Sequence, residues 1–504
     1  MRDPVGAAER AEGWPRLIVG VDQGTTGTTT VAFDDRLQPV AEAYRELPNR
    51  YPRPSWVEQD PEDVVRTVAE TVGEVLRKIG GSDRVEAVGL ANQGETVVAW
   101  NAETGRALTP TVVWSDGRGA EITARLSEAG YGNRVHELTG LMLDPYFSAA
   151  KYSWLLKHNT EVHKAAEAGT LRLGTLDAWL AWRLGGKRIL TDHSTASRTQ
   201  LLGLASGVWE PELLDLFGVP EGSLPAIKSS LDDWGELNHP SWDGPLPWRS
   251  SLVDQPAALA GNGCFAPDEI KVTYGTGCFI VANAGTEPPE PPDGLLASVA
   301  WSQGGKCTYA FDGGVFTAGT AINWLRSIGI ISEAAETADM ALTVDDAGGV
   351  RFLPAFTGLG APWWDNDARG AFFGITGGTT QAHLVRAVLD SIAFRVRDVL
   401  EAVWSGGHAR PRALRVDGGL TKNRYLMQRQ ADLLGLPVEL GSSSEATATG
   451  AAALAAVAAG LLTEEQVRSH VTVRGRFEPQ SSEDERDTEY AQWHDWLRQA
   501  RGIR

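Results

Sequence analysis

Two segments of the chain share one order of apolar runs and polar turns. In the first, an apolar run over 17–21 leads to Asp22, then to a turn rich in glycine and threonine, and a second β-rich run begins at Thr30. In the second, 271–284 (KVTYGTGCFIVANA), a β-rich run enters a Gly-Thr-Gly turn and β-rich residues follow. Short apolar runs bounded by such turns predict strands. The pattern therefore predicts two β-hairpins about half a chain apart.

Longer segments with apolar residues every three or four positions predict helices. In 60–79, Asp60 suits the N-cap, Pro61 suits the first helical position, and valines recur along one face. A strand over 85–90 follows, and 381–404 is a second amphipathic helix that two glycines end. Strands and helices alternate in both halves of the chain, which predicts an α/β fold.

The length of the chain predicts two domains. At 504 residues it exceeds what one hydrophobic core commonly supports. We place the boundary near 261–263, just before the second hairpin, which gives domains over 1–262 and 263–504. The alanine-rich stretch 446–462 is broken by threonines and glycines, so we expect a tightly packed helix and no membrane insertion.

The net charge argues against some classes of binding partner, and the cysteine spacing argues against a cysteine metal site. The net charge of −19 argues against binding to nucleic acid or to an anionic membrane surface. The three cysteines (264, 278 and 307) lack metal-ligand spacing, and we expect buried, reduced thiols. The N-terminal segment 1–16 is charged and has no apolar stretch, so we expect no secretory signal and a cytoplasmic protein.

The first hairpin carries residue types that suit polyphosphate. Gly24 and Gly27 allow a tight turn whose backbone N–H groups can approach an anion. Thr25 and Thr26 add hydroxyl donors, and Asp22 offers a carboxylate for hydrated Mg²⁺. The alternative is a structural turn without a ligand; the similar second hairpin favours two related halves that hold one nucleotide.

Long strings of the sequence, in one order, resemble the FGGY family of carbohydrate kinases. They include DQGTTGT, YPRPSWVEQDPEDV, NQGETVV, TGLMLDPYFSAAKYSWLL, GTLDAWL, TDHSTASRT, VDQPAAL, TYGTGCF, PAFTGLGAPWWD, RGAFFGIT and LRVDGGLTKN. The similarity is greatest to the glycerol kinases of that family. The resemblance implies two actin-like (ribonuclease H-like) domains with a cleft for nucleotide and substrate between them. It also implies that ATP is the phosphoryl donor and that it is bound with Mg²⁺.

The resemblance also implies roles for individual residues. Asp254, in LVDQPAAL, matches the catalytic aspartate of the family, whereas its place before an apolar helix is also typical of an N-cap. The implied acceptor-binding residues suit a polyol, because polar groups bind hydroxyls and rings cover the carbon chain; they are Glu95, Trp114, Tyr146, Asp254, Gln255 and Phe279. The implied nucleotide-binding residues are Thr25, Thr26, Thr276, Gly319, Gly419 and Asn423. Asn323 is added at a position where the family often has glutamine, and the residues of the first turn add Gly27 at the nucleotide and Asp22 at the metal.

Two departures from the family concern the acceptor. Gly94 stands where glycerol kinases have an arginine, whose hydrogen bonds to a substrate hydroxyl would be worth roughly 1.5–3 kcal/mol. Asp116, in WSDGR, resembles the pentulose kinases of the family. We therefore expect either a glycerol kinase in which Arg118 or water fills the gap, or a pocket that accepts four- or five-carbon polyols or ketoses.

The sequence also bears on inhibition by a sugar bisphosphate, on the oligomeric state and on alternative functions. The stretch 241–251 (SWDGPLPWRSS) lacks the glycine-rich loop with which some relatives bind fructose 1,6-bisphosphate, so we expect no inhibition by that ligand. The resemblance implies a homo-oligomer, a dimer or a tetramer. A catalytically inactive nucleotide sensor is a less favoured alternative, and a dehydrogenase is disfavoured because no GxGxxG follows the first strand.

Overall fold

The computed structural model describes residues 16–443 and 445–501. The segment on which the expectation about a secretory signal depends, 1–16, lies outside these residues except for its last position. Among the described helices, none combines the length and the apolar character that crossing a membrane requires.

The first half of the chain contains twelve strands and nine helices in the described residues. The strands are β1 (Leu17–Gln23), β2 (Gly27–Phe33), β3 (Pro39–Glu46), β4 (Glu58–Gln59), β5 (Val85–Asn92), β6 (Val97–Asn101), β7 (Thr111–Val112), β8 (Leu171–Thr175), β9 (Leu190–Asp192), β10 (Ala226–Lys228), β11 (Leu231–Leu237) and β12 (Leu246–Val253). The helices are α1 (Pro61–Ile79), α2 (Ala120–Glu128), α3 (Gly132–Thr139), α4 (Ser148–His158), α5 (Thr160–Glu167), α6 (Leu176–Leu184), α7 (His193–Ser197), α8 (Pro211–Phe217) and α9 (Asp254–Gly261).

The second half contains nine strands and seven helices in the described residues. The strands are β13 (Ile270–Tyr274), β14 (Cys278–Gly285), β15 (Leu296–Gln303), β16 (Lys306–Val315), β17 (Arg351–Leu353), β18 (Ala371–Phe373), β19 (Leu414–Asp417), β20 (Val438–Gly441) and β21 (Val473–Phe477). The helices are α10 (Gly319–Ser327), α11 (Glu336–Ala341), α12 (Gln381–Ser405), α13 (Arg424–Leu434), α14 (Ala446–Ala458), α15 (Glu464–His470) and α16 (Glu483–Arg501).

A central sheet runs through both halves. In the described part of the chain it has the strand order β21-β20-β19-β13-β14-β16-β15-β11-β12-β5-β1-β2-β3. The strands β12, β5 and β1 are parallel, and β1 to β3 form an antiparallel meander. The strands β11 and β15 meet at a single residue pair, Leu231 with Gln303, so the two halves of the sheet are joined at a narrow point.

The predicted hairpins and helices are confirmed. Strands β1 and β2 pair across the first polar turn, and β13 and β14 pair across the second. Helix α1 begins after Asp60, whose side chain accepts a hydrogen bond from the backbone N–H of Glu62, and ends at Gly80 in the left-handed conformation. The secondary structure of both halves therefore agrees with the sequence prediction, because caps and apolar periodicity are properties of short segments.

Helix α14 packs against the sheet and α9 by close contact of backbones, as predicted for the alanine-rich stretch. A Cβ atom on Gly450 would overlap the carbonyl oxygen of Ala257 in α9, and one on Gly89 in β5 would overlap that of Ala451. Every residue from Ala448 to Ala456 is buried. This helix of the second half thus contacts β1, β5 and β12 of the first half. The division at residues 262 and 263 stays a prediction.

One sequence interpretation needs correction. The proline and glycine content of 238–248 predicts a surface loop, but β12 begins at Leu246, and Trp242 and Trp248 are buried. The Trp242 indole donates to the backbone carbonyl of Ala69 in α1. The proline and glycine content correctly predicted a turn before β12. The burial of the Trp242 and Trp248 indoles depends on α1 and on the sheet, which are remote in sequence from this stretch.

Candidate active site

A cavity of about 160 Å³ lies at the carboxyl ends of β5 and β12, where β14 to β16 of the second half approach them. Ligand sites of open parallel sheets lie at this edge. The residues around it are Thr25, Gln93, Gly94, Glu95, Trp114, Tyr146, Arg198, Val253, Asp254, Gln255, Pro256, Phe279, Val281, Ser298 and Asp312. A larger, more open groove beside α1 contains none of the predicted site residues. The structure therefore brings all six predicted acceptor residues together at one cavity.

Aromatic rings form one wall of the cavity. The rings of Trp114 and Tyr146 lie 5.3 Å apart between centroids, and the Trp114 indole donates to the Thr25 hydroxyl at 2.9 Å. The ammonium group of Lys151, buried in α4, donates to the backbone carbonyls of Tyr146 and Phe147. These contacts fix the rings, so the wall can cover a carbon chain without losing side-chain entropy on binding.

Glu95 and two further charged residues form the polar wall. Glu95 follows β5 in a left-handed backbone conformation (φ 55°), and its carboxylate accepts from Nε of Arg198 at 2.5 Å. The Arg198 Nη2 atom lies 3.1 Å from Asp312 Oδ2. Burial raises the pKa of Glu95, and Arg198 opposes that increase. The positive φ is rare for a residue other than glycine and is typical of functional turns.

Asp254 is the first residue of α9 and faces the cavity. Val253 occupies the N-cap position, and no side-chain cap is formed there, so the structural alternative for Asp254 does not apply. Burial raises the pKa of Asp254 to about 7, the Glu95 carboxylate adds to the increase, and Lys271 opposes it. Lys271 itself donates to Gln255 Oε1 at 2.5 Å. A carboxyl group with this pKa can exchange a proton near neutral pH.

The predicted nucleotide residues of the second half lie around the second hairpin. The backbone carbonyl of Thr276 accepts from the N–H groups of Ala318 and Thr320, so the hairpin turn sits on the start of α10. A Cβ atom on Gly319 would approach the carbonyl oxygen of Gly275 to 2.6 Å, so glycine permits this contact. Asn323 is exposed on α10.

Gly419 and Asn423 lie beyond β19, the parallel neighbour of β13. Gly419 is exposed with open space around it and begins a short 3₁₀ turn, Gly419–Lys422. The α-helix that follows, α13, begins only at Arg424, because Asn423 is its N-cap. The Asn423 amide also donates to Thr337 at 2.9 Å. Its side chain is thus held within the protein.

The first hairpin places its predicted residues in three environments. Thr25 lines the acceptor cavity, whereas Thr26 is exposed and its carbonyl accepts from Leu47 and from the Tyr44 hydroxyl. Gly27 is buried, and a Cβ atom there would overlap the ring of Tyr44. The glycine at this position therefore has a packing role in addition to its place in the turn.

Asp22 has the chemistry of a cation ligand. Its Oδ1 atom is buried and has no hydrogen-bond partner among the described residues. Burial raises the pKa of Asp22 well above its usual value, and the carboxylates of Asp254 and Glu445 add to the increase. No group of three or more His, Cys, Asp or Glu in the described chain could enclose a metal ion. Asp22 thus fits a cation that is held mainly by water and phosphate oxygens.

The comparisons with known proteins identify the family. Residues 17–259 match the N-terminal domain, and residues 270–459 match the C-terminal domain, of the FGGY family of carbohydrate kinases. The chain belongs to this family. It is a carbohydrate kinase with a two-domain, actin-like α/β fold, as the sequence predicted.

Named relatives of this FGGY kinase match over nearly the whole chain. "Glycerol kinase 2" of Thermotoga maritima is 41% identical over 97% of this chain and 99% of the relative. A glycerol kinase of Methylobacterium nodulans is 42% identical over 95% and 97%. The crystal structure of Plasmodium falciparum glycerol kinase with ADP superposes with a TM-score of 0.91 at 29% identity, over 97% of this chain and 99% of that one. A Lactobacillus acidophilus xylulose kinase, at 23% identity and a TM-score of 0.86, shows the shared fold alone.

Two residues of this FGGY kinase do not lie where the sequence analysis expected. Asp116 is buried away from the acceptor cavity and accepts from Arg118 and from the backbone of Val57. Arg118 also pairs with Glu58 and stacks on Trp56, so it does not fill the space beside Gly94. The resemblance to pentulose kinases at Asp116 therefore has no counterpart in the cavity.

Other residues at the cavity were missed by the sequence analysis: Gln93, Arg198, Ser298 and Asp312. Gln93 directly precedes the recognised Gly94, and its position alone could have suggested it. Arg198 lies in the string TDHSTASRT, which resembles the family, so this string could have suggested it. Asp312 lies in a segment without a local signal for binding, since a charged residue within a strand is ordinarily solvent-exposed.

Proposed function

We propose that this kinase transfers the γ-phosphoryl group of ATP to glycerol, giving glycerol 3-phosphate. The observation that carries the proposal is the small cavity, about 160 Å³, in which hydroxyl-binding groups face aromatic rings. Cavities for drug-sized ligands are larger, ~300–1,000 Å³. The near full-length similarity to proteins named glycerol kinase supports the same acceptor.

The acceptor is held by complementary groups. Glu95 and the Gln255 amide offer hydrogen bonds to hydroxyls, and Trp114 and Phe279 cover the carbon chain. Burial raises the pKa of Tyr146 well above its usual value, so its phenol stays neutral and can donate. Fixing the reacting hydroxyl in this way replaces a bimolecular encounter by an oriented one, which supplies much of the rate enhancement in phosphoryl transfer.

Asp254 acts as the general base. Its carboxylate accepts the proton of the acceptor hydroxyl while the oxygen attacks the γ-phosphorus and the bond to the β-phosphate oxygen breaks. The pKa near 7 suits both acceptance of this proton and its later release to solvent. Exclusion of water from the cavity prevents hydrolysis of ATP in place of transfer.

The nucleotide lies between the two hairpins. Backbone N–H groups of the two turns and the hydroxyls of Thr25, Thr26 and Thr276 bind phosphate, with Gly27 in the first turn. Gly319, Asn323 and Gly419 surround the nucleoside, and Asn423, whose amide donates to Thr337 and which caps α13, supports Gly419 from within the protein. The open space at Gly419 and the exposure of Thr276 and Asn323 support this placement, and the fold neighbour with a TM-score of 0.91 was crystallised with ADP. Mg²⁺ at Asp22 would neutralise phosphate charge and orient the triphosphate.

A second acceptor class rests on one observation, the absence of a side chain at Gly94. A Cβ atom there would lie 3.2 Å from Val253 Cγ1 and 3.7 Å from Arg198 Cγ, which leaves little free room. A kinase of four- or five-carbon polyols or ketoses is therefore the weaker candidate.

A substrate panel tests the proposal. ADP release with Mg-ATP is measured for glycerol, erythritol, threitol, xylitol, ribitol, dihydroxyacetone, xylulose and ribulose, with the Asp254→Asn variant as the control for contaminating kinases. We expect the highest kcat/KM for glycerol. A longer acceptor that exceeds glycerol by tenfold or more would replace glycerol in the proposal, and ATP binding without turnover on any acceptor would favour the sensor alternative.

A further inference from the structure

Arg198 lies at the acceptor cavity and within TDHSTASRT (191–199), one of the strings that resemble the family, although the sequence predicted no role for it. It follows α7 directly, and its side chain is about 5% exposed, among the residues that line the cavity. Its guanidinium lies over the rings of Tyr146 (5.9 Å) and Phe147 (5.3 Å). Within the described chain it is the one arginine on the cavity wall.

The contacts of the guanidinium leave one nitrogen free. Nε donates to Glu95, and Nη2 pairs with Asp312. No acceptor among the described residues binds Nη1. A guanidinium presents its donors in one plane with fixed angles, so two anchored nitrogens also fix the direction of the third.

We propose that Arg198 binds the acceptor directly, with Nη1 donating to a hydroxyl that Glu95 also contacts, and that it determines which polyols this enzyme accepts. The inference rests on the proposed function and deepens it. The pair of Glu95 and Arg198 can accept from and donate to neighbouring hydroxyls, which is the arrangement that a vicinal diol requires.

The absence of a side chain at Gly94 is part of the same arrangement. The Cγ atom of Arg198 lies 3.7 Å from where a Cβ of residue 94 would be, so the arginine stem passes beside this glycine. A long side chain at position 94 would compete with Arg198 for the polar wall. We infer that Gly94 makes room for Arg198 and does not enlarge the cavity for a longer acceptor.

The charge balance of the cavity supports a binding role. Glu95, Asp254 and Asp312 place three carboxyl groups around a small volume, and Arg198 is the cation that contacts two of them. Without it, both would be buried and unpaired, which is strongly unfavourable. Lys271 is the other cation near Asp254, and it is engaged by Gln255 and Thr273.

The test uses the Arg198→Lys variant of the full-length enzyme. Lysine keeps the charge but cannot bind Glu95, Asp312 and a hydroxyl in one plane. We expect KM for the acceptor to rise about tenfold or more, as for loss of a hydrogen bond to a charged group, with KM for ATP unchanged. The matched control is Arg395→Lys, since Arg395 is equally buried and paired with Asp398 but lies in α12, outside the cavity. It should lower stability without raising the acceptor KM.

Two deoxy analogues separate direct binding from a structural role. The inhibition constants of 1,2-propanediol and 1,3-propanediol against glycerol are measured for the wild type and for Arg198→Lys. If Nη1 binds the central hydroxyl, 1,3-propanediol, which lacks it, binds both enzymes equally, whereas 1,2-propanediol loses affinity in the variant. If Nη1 binds a terminal hydroxyl, which each analogue keeps, both analogues lose affinity while the KM for ATP is unchanged. Unchanged affinity for both analogues, or an unchanged acceptor KM, would overturn the role of Arg198.

The failure of the proposed function is distinguishable from the failure of this inference. If the wild type prefers another acceptor of the panel, the KM comparison is made with that acceptor, and a rise of about tenfold supports Arg198 as before. If the wild type phosphorylates no acceptor, both are wrong. An active wild type with an unchanged KM in Arg198→Lys contradicts the inference alone.

Discussion

At the scale of single residues, the site depends on burial of charged groups. Asp254 and Glu95 are removed from water by the two halves of the sheet, and burial raises the pKa of both carboxyl groups. The same burial strengthens hydrogen bonds within the cavity, since the local dielectric is low. The residues that make the site reactive therefore also destabilise the fold.

The Asp254→Asn variant is predicted to be inactive and more stable. Without the base, kcat should fall by about 10²–10⁴ while ADP affinity is kept. The pKa of Asp254 in the folded protein is raised above the unfolded value, so its stabilising, protonated form is lost as pH rises through about 7. The gain in Tm over the wild type should therefore grow from about pH 4, near the pKa of an unfolded aspartate, to about pH 7, and stay constant above that, in thermal unfolding. A gain that is independent of pH would contradict the assignment.

The rate of the wild type is predicted to depend on the same group. Because the carboxylate is the active form, kcat/KM for the acceptor should rise with pH and level off above about 7. A steady-state pH profile at constant ionic strength measures this. A profile that is flat on the acidic side of neutrality would show that Asp254 does not carry the proton.

At the scale of elements, two helices hold the cavity in place. Helix α14 joins the halves through close backbone contacts with α9 and β5. Helix α7 also contacts both halves. The Ser194 hydroxyl accepts from the N–H of Val253, which precedes Asp254, the proposed base, and the Ser197 hydroxyl accepts from the N–H of Val299 in β15. The short helix thus ties both halves of the cavity to Arg198 at its end.

Substitution of Gly450 by alanine is predicted to destabilise the protein. The added Cβ overlaps the carbonyl of Ala257, so α14 and α9 must separate, at a cost of about 1–3 kcal/mol. Gly132→Ala is the matched control, because its Cβ meets no atom within 4 Å. Urea unfolding should show a loss for the first variant and none for the second; equal midpoints would contradict the packing argument.

Removal of the cap of α7 is predicted to impair acceptor binding. The Asp192 carboxylate accepts from the N–H groups of Ser194 and Thr195 and from the Ser230 hydroxyl. Asp192→Ala should cost about 1–2 kcal/mol of stability and raise the acceptor KM, because α7 positions Arg198. Asp192→Asn, which keeps an accepting oxygen, should lose less of both. A stability loss without any change in KM would show that α7 does not position Arg198.

Fructose 1,6-bisphosphate is predicted not to inhibit this enzyme. In the stretch 241–251, Trp242 and Trp248 are buried, and the Arg249 side chain is engaged by Asp233 and Gly235. This segment therefore presents no free arginine for a sugar bisphosphate. Steady-state rates with millimolar ligand should equal those without it, and dose-dependent inhibition would refute the expectation.

At the scale of the whole molecule, the two halves of the central sheet are joined at a narrow point, and such a connection favours relative motion of the halves. Strands β11 and β15 share one residue pair, whereas the acceptor cavity and the two hairpins lie where the halves face each other. Closure over both substrates would exclude water and complete the site.

Closure is predicted to reduce the radius of gyration. Small-angle scattering should give a smaller value with acceptor and a non-hydrolysable ATP analogue together than with either alone. Light scattering, from which we expect a dimer or tetramer, fixes the oligomeric state for the comparison. An unchanged radius at saturation of both ligands would argue against domain closure.

The features that depend on short-range order were predictable from the amino-acid sequence alone. The two hairpins, α1 with its Asp60 cap, the buried α14 and the α/β class followed from periodicity, caps and turn residues. The motif strings also located the six acceptor residues that meet at one cavity, although their roles stay predictions. Such features persist because local propensities and the final fold agree with each other.

The tertiary structure alone decided which charged groups share the cavity. Arg198 meets Glu95 across 103 positions of the chain, and Asp116, two positions from the predicted Trp114, is directed away to Arg118. The free volume at Gly94 likewise depends on where the stem of Arg198 passes. Local sequence cannot fix such contacts, because side-chain direction and neighbouring charges are set by packing between elements that are remote along the chain.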